Sequence, residues 1–173
     1  MEYGGIDLEH FKIGNHARSI LTQLCHYLQA ATLVGFDHRD LHWGNVLVKE
    51  CTSVTLPVFK DGKIEVKKLQ TKVKCNLIDF TLSRLPSVDG ILYSDLDEIE
   101  GIYEGDGDLQ FDIYRQMKGQ DWSEYNPRNN VLWIHYLVDK LISKGSKGLI
   151  KLRSRILSYN SVDEILTDPF FTS

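Results

Sequence analysis

The first third of the chain carries the hydrophobic pattern of an amphipathic α-helix. Between Gly14 and Val34, apolar side chains recur at intervals of three and four residues: Ala17, Ile20, Leu21, Leu24, Leu28 and Ala31. Positions with this spacing lie on one face of a helix, and a glycine just beyond the last of them is a common stop signal. Because Gly35 stands at that position, the sequence predicts a helix over 14–34.

The next segment shows the shorter runs that are typical of β-strands. A short apolar strand is predicted at 46–48, and a longer one at 73–78. Between them, 54–66 contains two β-rich runs on either side of the Asp-Gly pair at 61–62, which predicts a hairpin. Residues 84–107 are rich in glycine, aspartate and serine, so an irregular segment is expected there.

The second half of the chain has mainly helical patterns. Helices are predicted at about 108–118, 130–143, 149–159 and 162–166. The 130–143 segment is apolar nearly all round, which indicates a helix buried in the centre of the domain. One helix, a few short strands and then several helices predict a mainly α fold with a few short β-strands and hairpins.

Composition places the chain among ordinary globular domains. It has 173 residues, of which 42% are hydrophobic and 25% charged, enough for one domain with a real core. The three cysteines form no CxxC pair, which argues against a disulfide framework or a zinc site. No apolar run approaches membrane-spanning length and the N-terminus lacks a signal-peptide profile, so we expect a soluble intracellular protein without a membrane partner.

The charges are unevenly distributed, although the formal net charge is only −4 and does not argue for nucleic-acid binding. Residues 95–108 contain seven acidic residues and no basic one, whereas 60–74 carries six lysines. A run of like charge is often only a solvated loop. The alternative is an acidic surface that receives a cationic partner.

Two stretches together predict a chemical function: HRDLHWGN (38–45) and LIDF (77–80). Asp40 and Asn45 lie on a loop between a predicted helix and a predicted strand, and Asp79 ends the next long strand. An aspartate that accepts a hydroxyl proton, with an Asn and an Asp whose oxygens bind magnesium, is a minimal set for phosphoryl transfer from ATP. The HRDxxxxN spacing followed by a strand ending in Asp-Phe favours that chemistry.

Structural roles are the alternative for the same residues. Asp40 and Asn45 would then only cap turns, and Asp79 would only end a strand. His38 is interpreted as a hydrogen-bonding residue beneath the loop, and Arg39 as a residue for the electrostatics of the loop. For these last two the structural interpretation is preferred.

The remaining polar residues of the loop carry less information. His42 is left open between a structural and a functional role, and Trp43 is interpreted as a packing residue. A zinc site built from His38 and His42 with the distant His135 or Cys75 lacks the usual ligand spacing.

Four long motifs together resemble the haspin family of atypical eukaryotic protein kinases: HRDLHWGN, LIDFTLSRL, GDGDLQFDIYRQM and NVLWIHYLVDKL. The Asp-Phe-Thr at 79–81 replaces the usual Asp-Phe-Gly, and haspins are known for a threonine at that place. No Ala-Pro-Glu follows it, an absence that haspins share. The similarity runs from EYGGIDLE at 2–9 to about residue 143, and it implies the C-terminal lobe of a protein kinase.

The resemblance implies roles for individual residues, with ATP and magnesium as cofactors. Asp40 matches the catalytic base, and Asn45 and Asp79 match the magnesium ligands. Asp112 resembles the aspartate that supports the backbone of the catalytic loop from the central helix. The hinge that hydrogen-bonds adenine is matched by Glu2, Tyr3, Gly4 and Gly5, and Asp7 resembles a residue near the ribose.

The resemblance also implies a substrate. Haspins phosphorylate a threonine near the N-terminus of the histone H-three tail in mitotic chromatin, which implies a nuclear, chromosome-associated protein. That tail is basic, so the acidic run is the right charge to receive it. The candidate substrate-binding residues are six of its acids: Asp95, Asp97, Glu98, Glu100, Asp106 and Asp108.

If 2–5 is the hinge, the small N-terminal lobe of the kinase would precede it, and we expect that lobe to be missing here. The isolated chain is then expected to bind ATP poorly and to be nearly inactive until that lobe is supplied as a partner. The implied segments are a hinge-like stretch at 1–9, a catalytic loop at 36–49 and a hairpin insertion at 51–72. An activation-segment equivalent at 79–112 and a helical remainder at 113–173 follow.

Two functions of other classes stay open. A small-molecule kinase of the aminoglycoside or choline type also uses an Asp-x4-Asn loop and a downstream Ile-Asp. Against it, Arg39 and the FDIYRQM helix favour the protein-kinase branch. The third function is a non-catalytic module that holds a basic tail on its acidic surface.

Overall fold

The hydrophobic stripes of the sequence become six helices in the computed structural model, which describes residues 3–60 and 62–172. Within these residues the helices are α1 to α6 in chain order: Ala17–Thr32, Leu109–Met117, Pro127–Ser143, Ile150–Ile156, Val162–Leu166 and Pro169–Thr172. The strands are β1 to β7: Ile6–Asp7, Val46–Glu50, Ser53–Lys60, Lys63–Gln70, Val73–Leu77, Leu85–Ser87 and Gly90–Leu92. The fold is therefore mixed α/β: the predicted helices and hairpin are present, with more β-structure than the predicted mainly α fold.

Helix α1 lies within the predicted range but begins three residues later. Gly14 has a left-handed backbone with φ 49°, which a helix cannot include, and His16 is the N-cap. The buried face is the predicted stripe, and Ile20 and Leu24 have no exposed surface. The spacing of the apolar residues therefore predicts correctly which side of α1 faces the core.

Helix α3 is the central helix, as its apolar composition predicts. Trp133, Tyr136 and Leu137 have no exposed surface. The helix starts earlier than predicted, because the side chain of Asn126 accepts a hydrogen bond from the N–H of Arg128 at 3.0 Å. An Asn N-cap followed by proline is a common start signal for a helix.

The strands form three small antiparallel sheets. One has the order β1-β2-β5, and the others are the pairs β3–β4 and β6–β7. The hairpin predicted around 61–62 is confirmed on both sides, and Asp61 itself lies outside the described residues. The strand pairs reach eight residues in β3 and β4, which is why the fold contains more β-structure than predicted.

The 84–107 segment is less irregular than predicted. It contains the β6–β7 hairpin, closed by Val88 and Asp89, and a 3-10 turn at Leu96–Glu98. All six residues of these two strands are exposed, so no alternation of buried and exposed residues marks them in the sequence. The four-residue α6 packs Phe170 and Phe171 against the core, but it is too short to show a helical period in the sequence.

In the part of the chain that the structure describes, no helix is both long and apolar enough to cross a membrane.

Candidate active site

The antiparallel pairing of β2 with β5 brings the two predicted catalytic stretches together. Val46, the first residue of β2, pairs with Leu77, the last residue of β5. Asn45 directly precedes the first strand and Asp79 closely follows the second, so both lie at the same end of the sheet. The N–H of Ile78 donates to the carbonyl of Asn45 at 3.1 Å and extends the ladder to this point.

The carboxylate of Asp40 has a hydrogen-bond partner on each oxygen. Oδ1 accepts from the Tyr114 hydroxyl, and Oδ2 accepts from the Asn45 side-chain nitrogen at 3.2 Å. The same nitrogen donates to the Asp40 carbonyl at 2.8 Å. The Asp40 side chain is only 14% exposed, and burial raises the pKa of its carboxyl, an effect that the Tyr114 bond opposes. The carboxylate is therefore both oriented and made more basic than an exposed aspartate.

Tyr114 is the site residue that sequence reasoning missed. It lies on α2, is 7% exposed, and packs edge-on against Trp133 with ring centroids 5.4 Å apart. Burial, together with the charge of Asp40, raises the pKa of its hydroxyl, so it acts as a donor to the carboxylate. In the sequence it is an apolar-face residue of FDIYRQM, and its spacing gives no sign that its hydroxyl points at a loop 74 residues away.

Asn45 and Asp79 present the oxygens that a magnesium ion requires. The nitrogen of Asn45 is committed to Asp40, so its amide oxygen is the atom left for a cation. Asp79 is exposed, and one of its oxygens accepts from the N–H and hydroxyl of Thr81 at 3.2 and 2.6 Å. These bonds lower the pKa of the Asp79 carboxyl and keep it ionised. A hard divalent cation fits this donor set.

Backbone strain is concentrated at this site. Among the described residues, Arg39 and Asp79 are the only non-glycine residues with positive φ, at 64° and 56°. This left-handed region disfavours side chains with a Cβ, and such strain persists where the surrounding structure enforces it. The strain therefore marks the two turns that hold Asp40 and the Asp79 carboxylate in place.

Arg39 is a fully buried cation that ties the loop to the rest of the domain. Its Nε lies 3.2 Å from an oxygen of Asp37, and its terminal nitrogens donate to the carbonyls of Trp122 and Glu124 at 2.7 and 2.9 Å. Asp37 is equally buried and also accepts from the Asn129 amide at 2.7 Å. The predicted structural role of Arg39 is consistent with these contacts.

The structure corrects the role predicted for Asp112. Its side chain is 57% exposed and accepts from Arg115 at 2.6 Å on the outer face of α2. One position along a helix rotates a side chain by about 100°, so Ile113 and Tyr114 face inward while Asp112 faces out. The backbone of the catalytic loop is instead held by the Ser83 hydroxyl, which donates to the carbonyl of His38 at 3.1 Å, and by the side chain of Asn45.

His38 lies under the loop among aromatic rings. It has no exposed surface and packs near Phe36 and Phe80, with ring centroids 6.2 and 5.4 Å away. Burial lowers the pKa of its imidazole to about 4, so the ring is neutral at physiological pH. His38 thus lies beneath the loop, but neither ring nitrogen has a hydrogen-bond partner among the described residues, so the predicted hydrogen bonding is wrong.

We expect His38 to make the protein lose stability in mild acid. The folded pKa of about 4 lies below the ordinary value of 6.5, so the unfolded state binds the proton first as the pH falls. The free energy of unfolding should fall by up to roughly 3 kcal/mol between pH 6.5 and 4. Urea unfolding of the wild type and His38→Phe across this range measures the effect.

The control for this prediction is His10→Gln, which removes an exposed histidine. Acid sensitivity should persist in that variant and shrink in His38→Phe. Equal acid sensitivity of the wild type and His38→Phe would show that other groups govern it.

The remaining loop residues have structural contacts. Nδ1 of His42 accepts from the N–H of Gly44 at 3.1 Å, and its Nε2 lies 3.9 Å from Asp40 Oδ1. The Trp43 ring lies beneath the ammonium groups of Lys140 and Lys144, 4.6 and 5.7 Å from its centroid. Trp43 therefore packs as predicted, with two cation–π contacts.

The segment predicted as the hinge runs alongside the same sheet. The carbonyl of Gly4 accepts from Asn76 at 2.7 Å, and the carbonyl of Tyr3 accepts from Lys49 at 3.3 Å. Gly5 has φ 125°, and a Cβ there would lie 2.5 Å from the carbonyl oxygen of Val48, so only glycine fits. Glu2 lies outside the described residues, and adenine binding by this segment stays a prediction.

Asp7 forms a local turn with His10. One carboxylate oxygen of Asp7 accepts from the backbone N–H of His10 at 2.9 Å and lies 2.7 Å from its Nδ1. Together with Glu9 these form the only group of three potential metal ligands among residues 3–60 and 62–172. The alternative zinc site, built on His38 and His42, is not assembled in this part of the chain.

The acidic run divides into two groups. Three of its predicted substrate-binding residues already serve the fold. Asp95 caps the 3-10 turn, Asp97 accepts from Tyr103 and Trp122, and Asp108 caps α2 and pairs with Lys140. Four others are exposed, and no described side chain pairs with them: Glu98, Glu100, Glu104 and Asp106. This second group is named here the free acids.

Comparison with known proteins places nearly the whole chain in one family. The model of the haspin-like kinase domain matches residues 1–166. Mouse serine/threonine-protein kinase haspin is 35% identical over 187 residues, which cover 95% of this chain and 25% of that protein. The Arabidopsis thaliana haspin homolog is 41% identical over 187 residues, covering 99% of this chain and 31% of the homolog.

Bovine haspin is 43% identical over 154 residues, or 83% of this chain and 19% of that protein. The chain thus spans between about a fifth and a third of the length of these relatives. The family match covers nearly the whole chain, including the loop with Asp40 and Asn45 and the turn with Asp79. The chain belongs to the haspin family of serine/threonine protein kinases.

Proposed function

We propose that this chain contributes the catalytic loop and magnesium ligands of a kinase that transfers the γ-phosphate of ATP to a threonine of a basic histone H-three tail. The protein would act in the nucleus, on mitotic chromatin. The observation that carries the proposal is the convergence of Asp40, Asn45 and Asp79 at one end of the β2–β5 pair.

Asp40 is the proposed proton acceptor. Tyr114 and Asn45 hold its two oxygens, so one carboxylate geometry is enforced before a substrate hydroxyl arrives. Partial burial raises the carboxyl pKa and strengthens it as a base, while the Tyr114 bond keeps the ionised form accessible.

Asn45 and Asp79 would hold magnesium through their free oxygens. When bound, the ion would neutralise negative charge on the ATP phosphates. Thr81 fixes one oxygen of Asp79 and thereby directs the carboxylate. The chain would thus offer the cation two oxygens, one from the Asn45 amide and one from the Asp79 carboxylate, at the same end of β2 and β5.

The small lobe is the proposed partner that completes the ATP site. An apolar cleft of about 480 Å³ lies beside the catalytic loop, between Phe36, Leu77, Phe80 and Leu92. Phe80, the residue after Asp79, is 52% exposed in this cleft, and exposure of a large aromatic ring to water is unfavourable. Packing of the small lobe against this cleft would bury it. Without that lobe we propose that the chain turns over little substrate.

The free acids are the proposed contacts for the basic tail. They project from the segment between β7 and α2, and α2 also carries Tyr114. The free acids are exposed and form no ion pair with a described side chain, so their charges can attract a cationic peptide. They should therefore affect peptide binding more than the rate of phosphate transfer.

The intact kinase with ATP and magnesium tests this function on a peptide that copies the histone H-three N-terminus. Glu98→Gln with Glu100→Gln should raise the KM for that peptide about tenfold at low salt, with kcat nearly unchanged. The control pair, Glu65→Gln with Asp139→Asn, removes one exposed and one half-buried acid elsewhere and should leave the KM unchanged.

Other outcomes favour the alternative functions. Phosphorylation of choline or an aminocyclitol in preference to the peptide would indicate a small-molecule kinase. Peptide binding without phosphorylation, unaffected by Asp40→Asn, would indicate a non-catalytic module.

A further inference from the structure

The lysine-rich segment is a second charged feature that the proposed kinase reaction does not use. Residues 49–74 carry seven lysines and three acids, so this stretch is positive in a chain whose net charge is −4. Most of it forms the two-stranded β3–β4 sheet, named here the basic ribbon. The ribbon packs on α1 through its inner face, where Val54 and Leu56 are 5% and 2% exposed.

The outer face of the basic ribbon carries an exposed apolar patch. Pro57 pairs with Val66, and Phe59 pairs with Ile64, so the four side chains are neighbours on that face. Val66 is 72% exposed, Ile64 56% and Phe59 36%. Adjacent exposed apolar residues of this size are a feature of interaction surfaces, whereas solvated strands usually alternate with polar residues.

Strand β4 also has a free edge. Among the described residues its only strand partner is β3, and all but one of its eight side chains are exposed. The backbone groups on its other edge are therefore available to pair with a further strand. An apolar face next to a free edge is the arrangement that binds extended peptides by strand addition.

The lysines determine which strand can be added. Lys60 and Lys63 pair at the tip of the ribbon, and Lys67 and Lys68 lie near its base on β4. A second copy of β4 carries three lysines and one glutamate, so two such strands would repel each other. Charge complementarity instead favours a strand with acidic residues at both ends and apolar residues between them.

We propose that the basic ribbon is a docking site for an acidic, extended peptide segment of a partner protein, which pairs with the free edge of β4 and covers Ile64 and Val66. A nucleic acid would be attracted by the same lysines. It would leave the strand edge unpaired and would gain little from Ile64 and Val66.

The ribbon fixes the pattern of the bound segment. Lys63 and Lys68 are five positions apart, or about 17 Å at roughly 3.4 Å per residue. An antiparallel segment of six residues spans that length. Its acids lie opposite Lys68, Lys67 and Lys63, and two apolar residues in alternate positions lie opposite Val66 and Ile64.

A fluorescent octapeptide, Ser-Glu-Glu-Val-Thr-Val-Glu-Ser with blocked ends, tests the proposal by anisotropy with the intact kinase. The peptide should bind, and binding should weaken as salt is raised. Ile64→Thr with Val66→Thr keeps β-branched residues in the strand and should weaken binding about tenfold. The control, Val88→Thr with Ile91→Thr, removes two exposed apolar residues of the β6–β7 hairpin and should have no effect.

Hydrogen exchange distinguishes strand addition from simple charge attraction. Outward-facing amides within Lys63–Gln70 should gain protection when the peptide binds. The proposal is overturned if the same peptide with lysines in place of its glutamates binds equally well, or if the threonine variant binds like the wild type. Tighter binding of a short DNA duplex, unaffected by that variant, would also overturn it and assign the lysines to nucleic acid.

Discussion

Replacing Asp40 by asparagine should lower the kcat of the intact kinase about a thousandfold, because loss of a general base typically costs 10²- to 10⁴-fold. The amide has nearly the shape of the carboxylate but cannot accept the hydroxyl proton. The KM for ATP should change little, since Asp40 binds Tyr114 and Asn45 and is separate from the predicted hinge. Steady-state kinetics with the histone H-three peptide measures both constants.

This loss should not come from unfolding. Burial raises the pKa of the Asp40 carboxyl, so the ionised form is less stable in the folded protein than in water. A neutral amide at this position should therefore leave the free energy of unfolding close to the wild-type value. Asp139→Asn, at an exposed ion pair with Arg153, is the matched control and should leave kcat unchanged. A kcat for Asp40→Asn within tenfold of the wild type would contradict the assignment of Asp40 as the base.

Replacing Arg39 by methionine should lower the free energy of unfolding by about 3–5 kcal/mol, because removal of one partner of a buried pair leaves the other charge uncompensated. Asp37 would keep its bond to Asn129 but lose the cation that its burial requires. The carbonyls of Trp122 and Glu124 would lose their donors as well. Urea unfolding at pH 7 measures the change.

Arg153→Met is the control for Arg39, since Arg153 pairs with Asp139 at 2.6 Å while 47% exposed. An exposed pair contributes about 0–1 kcal/mol, so this variant should be nearly as stable as the wild type. Arg39→Lys should fall between them, because an ammonium lacks the fork that reaches Asp37 and both carbonyls. Equal stability of Arg39→Met and Arg153→Met would show that the buried network does not hold the loop.

The parts of the site that lie in contiguous motifs could be predicted from the sequence. Asp40 and Asn45 share one loop, and Asp79 closely follows a strand that pairs with the strand after Asn45. The residues that support them could not be predicted, because Tyr114 and Asn129 are brought to the loop only by packing of α2 and α3. The spacing of apolar residues along α2 and α3 predicts which face of each helix is buried, but it does not predict what the polar atoms of Tyr114 and Asn129 contact.

The errors have the same physical origin. Asp112 matched a family motif, but rotation along α2 directs it to solvent and Tyr114 inward. A sequence shows charge without showing that Asp95 and Asp108 cap a turn and a helix, and their role as substrate contacts stays a prediction. The β6–β7 hairpin was missed because it buries nothing and so leaves no hydrophobic period.

The β2–β5 ladder makes the positions of Asn45 and Asp79 independent of the length of the segment that connects β2 to β5. The pairs run from Val46–Leu77 beside the site to Glu50–Val73 at the opposite end, where the chain leaves for the basic ribbon. Asn45 and Asp79 lie beside the near end, so residues added to or removed from the far end should not change their separation. The length and the charge of the basic ribbon could therefore differ between relatives without any change in the geometry of the catalytic residues.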